Sequence, residues 1–208
     1  MPAIRPAPRV LDGSVVRLMP LEDEHLPALY GAIGRPDVFE GGYGGGAAGM
    51  PSTEAGFIEF AHNYYRRDIA NVYGVWLQDG TTSEPTMVGT STLGDFELVK
   101  ESAHIGWTAY SPSVWGSAVN PESKLLMLDE AFDHGFGRIK LQADAVNARS
   151  RAAIAKLGAR FEGVTRRDQL RADGTWRDAA VYSIIVDDWP EVRAGLVARV
   201  AQFAAGTS

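Results

Sequence analysis

The chain has 208 residues, 45% of them apolar and 22% charged, which supplies one sizeable hydrophobic core and is too ordinary a balance for disorder. It contains no cysteine, which excludes a disulfide framework, a thiolate zinc site, an iron–sulfur cluster and a cysteine nucleophile. Twenty basic against 26 acidic residues leave a net charge of -6, the wrong sign for a general nucleic-acid binder, and no apolar run approaches the roughly 20 residues that a membrane helix needs.

Residues 1–9 hold three prolines and two arginines where a signal peptide would carry an apolar run, so the expectation is a soluble, cytoplasmic protein without a membrane partner. The first elements are two short strands, around Val10 and over residues 15–19, split by a turn at Asp12-Gly13. A helix follows, with Asp23 as its N-cap, Leu26, Leu29, Tyr30 and Ile33 at helical spacing, and Pro27 in the first turn. Nine of the 23 glycines fall between Gly31 and Gly56, which reads as a mobile loop, either a lid or a surface connection. A second helix is expected over residues 52–67, with Phe57, Phe60, Ala61 and Tyr64 on one stripe.

From Asn71 the period becomes two, and strands over 71–77, 86–99 and 103–110, with turns at 78–85 and 100–102, read as an antiparallel meander. Asn120 followed by Pro121 predicts a capped helix running to Gly135. A strand over 138–145, a helix over 148–157 stopped by Gly158, and strands over 159–170 and 175–186 joined by Asp173-Gly174 come next. A last helix covers about 188–201. The pattern is an α+β layer architecture in one domain, with no internal repeat.

Charge is uneven along the chain. Residues 138–177 carry ten basic and four acidic side chains, so one region suits a small polyanion while the rest favours a cation; a solvated basic face is the other reading. The segment from 111 to 120 is a loop of small residues delivered by a strand into a helix, a place where unpaired amides and the helix dipole attract phosphate. Pro121, which has no amide, and Glu122, which brings a negative charge into the first turn, fit a plain capped helix equally well. No two of the four histidines stand at metal-ligand spacing, so no metal is expected.

Four stretches together resemble the GNAT superfamily of acyl-CoA-dependent N-acyltransferases, in particular its ribosomal-protein N-terminal acetyltransferase branch. They are His104-Ile105-Gly106-Trp107, residues 115–126 from Trp115-Gly116-Ser117-Ala118-Val119-Asn120 to Leu126, residues 147–159 from Asn147-Ala148-Arg149-Ser150-Arg151 to Ala159, and Phe161-Glu162-Gly163. The resemblance covers about residues 10–190. It implies a mixed, mostly antiparallel twisted sheet with helices on both faces and a splayed central strand pair. It also implies acetyl-CoA, or another short acyl-CoA, as cosubstrate, a primary amine of a small molecule or protein as acceptor, and room for a homodimer. Trp115, Gly116, Ser117, Ala118, Val119 and Asn120 would wrap the diphosphate. Thr108 would lie on the cofactor strand, Asn147 and Ser150 would face the pantetheine and sulfur, and Lys124, Arg149 and Arg151 would meet the adenosine phosphates.

Departures are plain: the usual loop has Arg or Gln at Trp115, Gly at Ala118, and Gly or Ala at Asn120. The family's tyrosine acid is replaced by Ile154, and Ser150 takes the place of the serine given that role in the ribosomal-protein branch, unless it only hydrogen-bonds the cofactor or its helix. His104 is a candidate base at neutral pH, on the same strand face as Gly106 and Thr108, or else a packed histidine. The glutamate base of that branch corresponds to Gln169, and Asp168 beside it would act through water, although a regular strand turns it to the other face. Tyr43, His62, Tyr64, Tyr65, Trp76 and Trp176 are candidates for the acceptor wall. A catalytically silent acyl-CoA binder and an α+β domain that does not bind CoA are the alternatives.

Overall fold

The computed structural model describes residues 2–78 and 85–205, so residues 79–84 of the expected 78–85 turn lie outside the described residues. The described strands form one eight-stranded sheet: β1 (Leu11–Asp12), β2 (Val16–Pro20), β3 (Asn71–Leu77), β4 (Thr86–Glu97), β5 (Ser102–Tyr110), β6 (Arg138–Asp144), β7 (Arg160–Leu170) and β8 (Trp176–Ile185). Their spatial order is β1-β2-β3-β4-β5-β6-β8-β7. Every neighbouring pair is antiparallel except β5 and β6. The expected α+β class, mostly antiparallel with helices on both faces, is what the chain adopts.

One face carries α1 (Leu26–Ile33), α2 (Pro36–Glu40) and α3 (Glu54–Tyr64), whose Leu26, Leu29, Phe39, Phe57 and Ala61 pack with Val72, Met87 and Ala109 of the sheet. The other carries α4 (Val119–Asp133), α5 (Ala148–Ala155) and α6 (Trp189–Ala205), whose Met127, Leu128, Ile154 and Leu196 pack with Leu93, Ile105, Ile139 and Ile184. Alternation along each strand feeds both cores at once, which explains the near-continuous burial of β3 and β4. No helix of the described residues is long and apolar enough to cross a membrane.

Three local expectations are corrected. Asp23 does not cap α1, which follows a 3-10 turn over Asp23–His25; its carboxylate instead accepts from Arg67 at 2.5 Å and meets His62 at 3.2 Å. Asn120 is not the cap of α4, which begins at Val119, two residues earlier than expected, with Ala118 at its N-cap. The glycine-rich connection is folded rather than loose: α2 and 3-10 turns over Tyr43–Gly45 and Ala47–Gly49 occupy it. Gly42, Gly44, Gly45 and Gly46 all have positive φ, so the run exists because side chains would strain this path.

Candidate active site

The parallel seam is short. β5 and β6 pair only at Ser102–Arg138, Ala103–Ile139 and His104–Lys140, after which each strand continues bonded on its outer side alone. The gap is a cavity of about 650 Å³, lined by both strands, the loop after β5, α5 and the β7–β8 hairpin. This is the splayed central pair that the resemblance implied.

At one end lies the loop into α4. The amides of Trp115 and Ser117 are spent on Pro112 and Val114, and Val119 donates to the Ser117 hydroxyl at 3.2 Å. Those of Gly116, Ala118 and Asn120 have no partner among the described residues, and α4 has no side-chain cap. Ala118 sits at φ -70, where its methyl costs nothing, and the turn is made by Gly116 at φ 78. Glu122 does not oppose an anion here, because it turns away. Its buried carboxylate accepts from Ser14 N at 2.8 Å, Ser14 Oγ at 2.6 Å, and Val15 N and Val16 N at 2.6 Å each. Three unpaired amides at a helix N-terminus, with Arg149, Lys156 and Arg199 lining the same cavity, fit a diphosphate.

Deeper in the cleft, His104 is 4% exposed. Its Nδ1 lies 3.0 Å from Oδ2 of Asp95, and its Nε2 is buried with no partner among the described residues. A carboxylate only accepts, so Nδ1 carries the proton and Nε2 keeps a lone pair. Burial lowers the imidazole pKa below its usual value; Asp95 works against that, and Lys140 and Lys124 add to it. The hydrogen bond from His104 holds Asp95 below the usual carboxylate range. Gly106 makes room for the ring: a Cβ there would come within 2.6 Å of the imidazole.

Two bulges build this corner. The β4–β5 register slips between Thr90 and Thr92 and again between Gly94 and Glu97, with Trp107 and Asp95 in left-handed backbone at φ 48 and 49. Such conformations cost about 1–3 kcal/mol each in a non-glycine residue and gather at active sites. The first bulge also overturns the expected facing of Thr108, which leaves the side of His104 and Gly106. Its hydroxyl instead meets Ser91 Oγ at 2.8 Å and Nζ of Lys124 from α4 at 2.7 Å.

The other expected residues divide. Ser150 lines the cavity and its hydroxyl has no partner among the described residues; its amide donates to Oδ1 of Asn147, the N-cap of α5. Asn147 lines the cavity too, with its Nδ2 donating to Gly41 O, so both ends of its amide are engaged. Arg149 stacks at 3.6 Å from the ring centroid of Trp115, whose indole N–H donates to Tyr110 O. Arg151, expected at the phosphates, turns instead to Tyr182 Oη and Ala145 O and does not line the cavity. Lys124, expected there too, is buried, with its ammonium donating to Ser91 Oγ and Thr108 Oγ1. Asp168 and Gln169 both line the cavity, because the β7–β8 register slips between Thr165 and Gln169 around Arg167 at φ 52 and breaks regular alternation.

Of the aromatic candidates, Tyr43 and Tyr64 reach the cleft. Tyr65 is buried behind Tyr43, His62 meets Asp23, Trp76 packs on His25, and Trp176 lies under Arg167. Sequence reasoning passed over Asp95, Arg177 and Arg199. Only Asp95 carried a signal, a Gly-Asp pair inside a strand pattern, where a bulge is the expected remedy.

Residues 16–160 match the family model described as an acetyltransferase (GNAT) domain. Among solved structures, a candidate acetyltransferase from T. thermophilus is similar at 29% identity and a TM-score of 0.83, with 95% of this chain and 100% of that one covered. A GCN5-related N-acetyltransferase from Brucella melitensis shares the fold at 23% identity and a TM-score of 0.84 over 95% and 87% of the two chains. So does RimL, a ribosomal L7/L12 alpha-N-protein acetyltransferase solved with coenzyme A, at 17% identity and a TM-score of 0.68 over 86% and 99%. No curated protein matches the chain. The family model takes in the strand pair, the loop and α4 together, and the chain belongs to the GNAT acetyltransferases.

Proposed function

We propose that the protein transfers an acetyl group from acetyl-CoA to a primary amine by direct attack, with His104 as general base. The observation that carries this reading is the buried Nε2 of His104, a residue that lines the cleft; this nitrogen is unpartnered among the described residues, and Asp95 orients the ring through Nδ1. An ammonium must lose a proton before its nitrogen can attack, and an imidazole kept neutral by burial is ready to accept it. The thioester of acetyl-CoA supplies an activated carbonyl when bound. The amides of Gly116, Ala118 and Asn120 would hold its diphosphate, with Arg149, Lys156 and Arg199 near the phosphates, and the Ser150 hydroxyl would reach the sulfur. Asp168, Asp95 and the tyrosines at 43 and 64 would receive a cationic amine on the other wall.

The reaction is followed as CoA thiol release with a colorimetric reagent over a panel of small amines, N-terminal peptides and lysine peptides; a chain without cysteine gives no thiol background. Amine-dependent release is expected, falling roughly a hundredfold in His104→Gln with acetyl-CoA affinity retained. Tight acetyl-CoA binding with no amine-dependent release from any acceptor would instead favour a silent binder on the same fold.

A further inference from the structure

One buried cation in the cleft is left over by the base and the diphosphate site. Lys124 is 4% exposed and lines the cavity, yet its ammonium meets no carboxylate; its partners are the hydroxyls of Ser91 and Thr108, both at 2.7 Å. A buried cation with only neutral partners lacks a counter-charge, and such a site is completed by an anion that arrives or forms there. Lys124 is also close enough to His104 to act on that group's protonation, so the two share one site.

We infer that Lys124 is the acid of the reaction, the group that meets the departing CoA sulfur and gives it a proton. This rests on the transfer reaction proposed above and adds its second half. The amine, its ammonium proton already passed through His104 to solvent, bonds through nitrogen to the carbonyl carbon and gives up a second proton to His104 Nε2. The C–S bond breaks, the electron pair leaves on sulfur, and an Nζ proton of Lys124 makes the thiol. Lys124 is then a neutral amine, and the proton held on His104 balances it. Acidity separates Lys124 from Ser150. Burial brings the lysine down to about 7 from 10.5, below the roughly 8.5 of an ordinary thiol, so its proton moves downhill to a thiolate. A serine hydroxyl lies far above the thiol and can relay a proton without being its source.

Of the ionisable groups around this site, His104 on β5 interacts with Lys124, with Asp95 on β4 and with Lys140 on β6, and Tyr43 and Tyr110 line the same cavity. Two limbs are expected in the pH–rate profile, an acid one from His104, whose pKa burial lowers, and an alkaline one near 7 from Lys124.

The test has a readout apart from turnover: the thiol of bound CoA is titrated by its thiolate absorbance in the wild type, Lys124→Met and Lys124→Arg, alongside CoA affinity and kcat against pH. The expected result is a thiol pKa lower by about one unit in Lys124→Arg, whose charge persists where the thiol titrates, than in Lys124→Met, with the wild type between them and CoA affinity within a few-fold in all three. Turnover should fall roughly a hundredfold in Lys124→Met, and Lys124→Arg should lose the alkaline limb. An unchanged thiol pKa together with unchanged turnover in Lys124→Met overturns the assignment while leaving the His104 reading intact. A wild type that binds no CoA overturns both readings.

Discussion

At the scale of single residues, the site depends on side chains whose surroundings decide their charge. Asp95 fixes which nitrogen of His104 carries the proton, so Asp95→Asn, which can present an amide N–H to Nδ1, should favour the unproductive tautomer. We expect kcat to fall roughly a hundredfold, with acetyl-CoA affinity unchanged by calorimetry and the acid limb of kcat/KM, below 6.5 in the wild type, displaced or lost. Lys124 has a second consequence, for stability. Between its folded pKa of about 7 and the ordinary lysine value of 10.5, the unfolded chain holds a proton that the folded one has shed. Stability therefore rises with pH across that window, and the burial penalty is fully felt below it. Lys124→Met should raise Tm by several degrees near pH 6, with the gain fading toward pH 10, as thermal melts across that range will show. His104 was a candidate base from the sequence, but its tautomer and the burial of Lys124 were not legible, because the partner of His104 is nine residues away on another strand and the depth of Lys124 depends on which face Thr108 takes.

At the scale of elements, α4 shows how a first-turn carboxylate coexists with an anion site. Glu122 is consumed by three amides and a hydroxyl of residues 14–16, which ties the sheet's outer strands to the helix that begins at the cleft. Removing it leaves those buried donors without an acceptor. Glu122→Ala should cost roughly 3 kcal/mol, a fall in Tm of roughly 6–12 °C, and Glu122→Gln about half as much, measured by thermal denaturation. The helices and strands themselves were readable: β3 matches its expected residues, and the Asp173-Gly174 turn joins β7 and β8 as the sequence predicts. Of the bulges, only the one at Gly94-Asp95 had a local mark, since a β-branched or aromatic run reads as a regular strand and nothing local marks Trp107 or Arg167 for positive φ. Every misassigned facing, at Thr108 and at Asp168, traces to one of them.

At the scale of the molecule, element order and the family motifs were enough to expect a sheet in which the strand ending at Tyr110 splays from its neighbour. What the sequence could not give was the closure of that cleft. The glycine-rich turns reach the far wall through Gly41 O with Asn147 and Gly45 O with the Ala172 amide, contacts far apart in the chain. A ligand that bridges both halves adds its binding energy to the fold. Acetyl-CoA at a hundred times its Kd should stabilise the protein by about 2.7 kcal/mol and raise Tm by roughly 5–10 °C, with the shift growing logarithmically with concentration.

The three-pair seam between β5 and β6 has a consequence for solvent exchange. Backbone groups of Gly106–Tyr110 and Leu141–Asp144 that point into the gap have no neighbouring strand, although they lie at the centre of the sheet rather than on its rim. Their hydrogens should swap with deuterium almost as fast as those of a true border strand in the free protein. An amide-containing tail laid along the gap would act as a ninth strand and slow them, while the outer strands keep their rates.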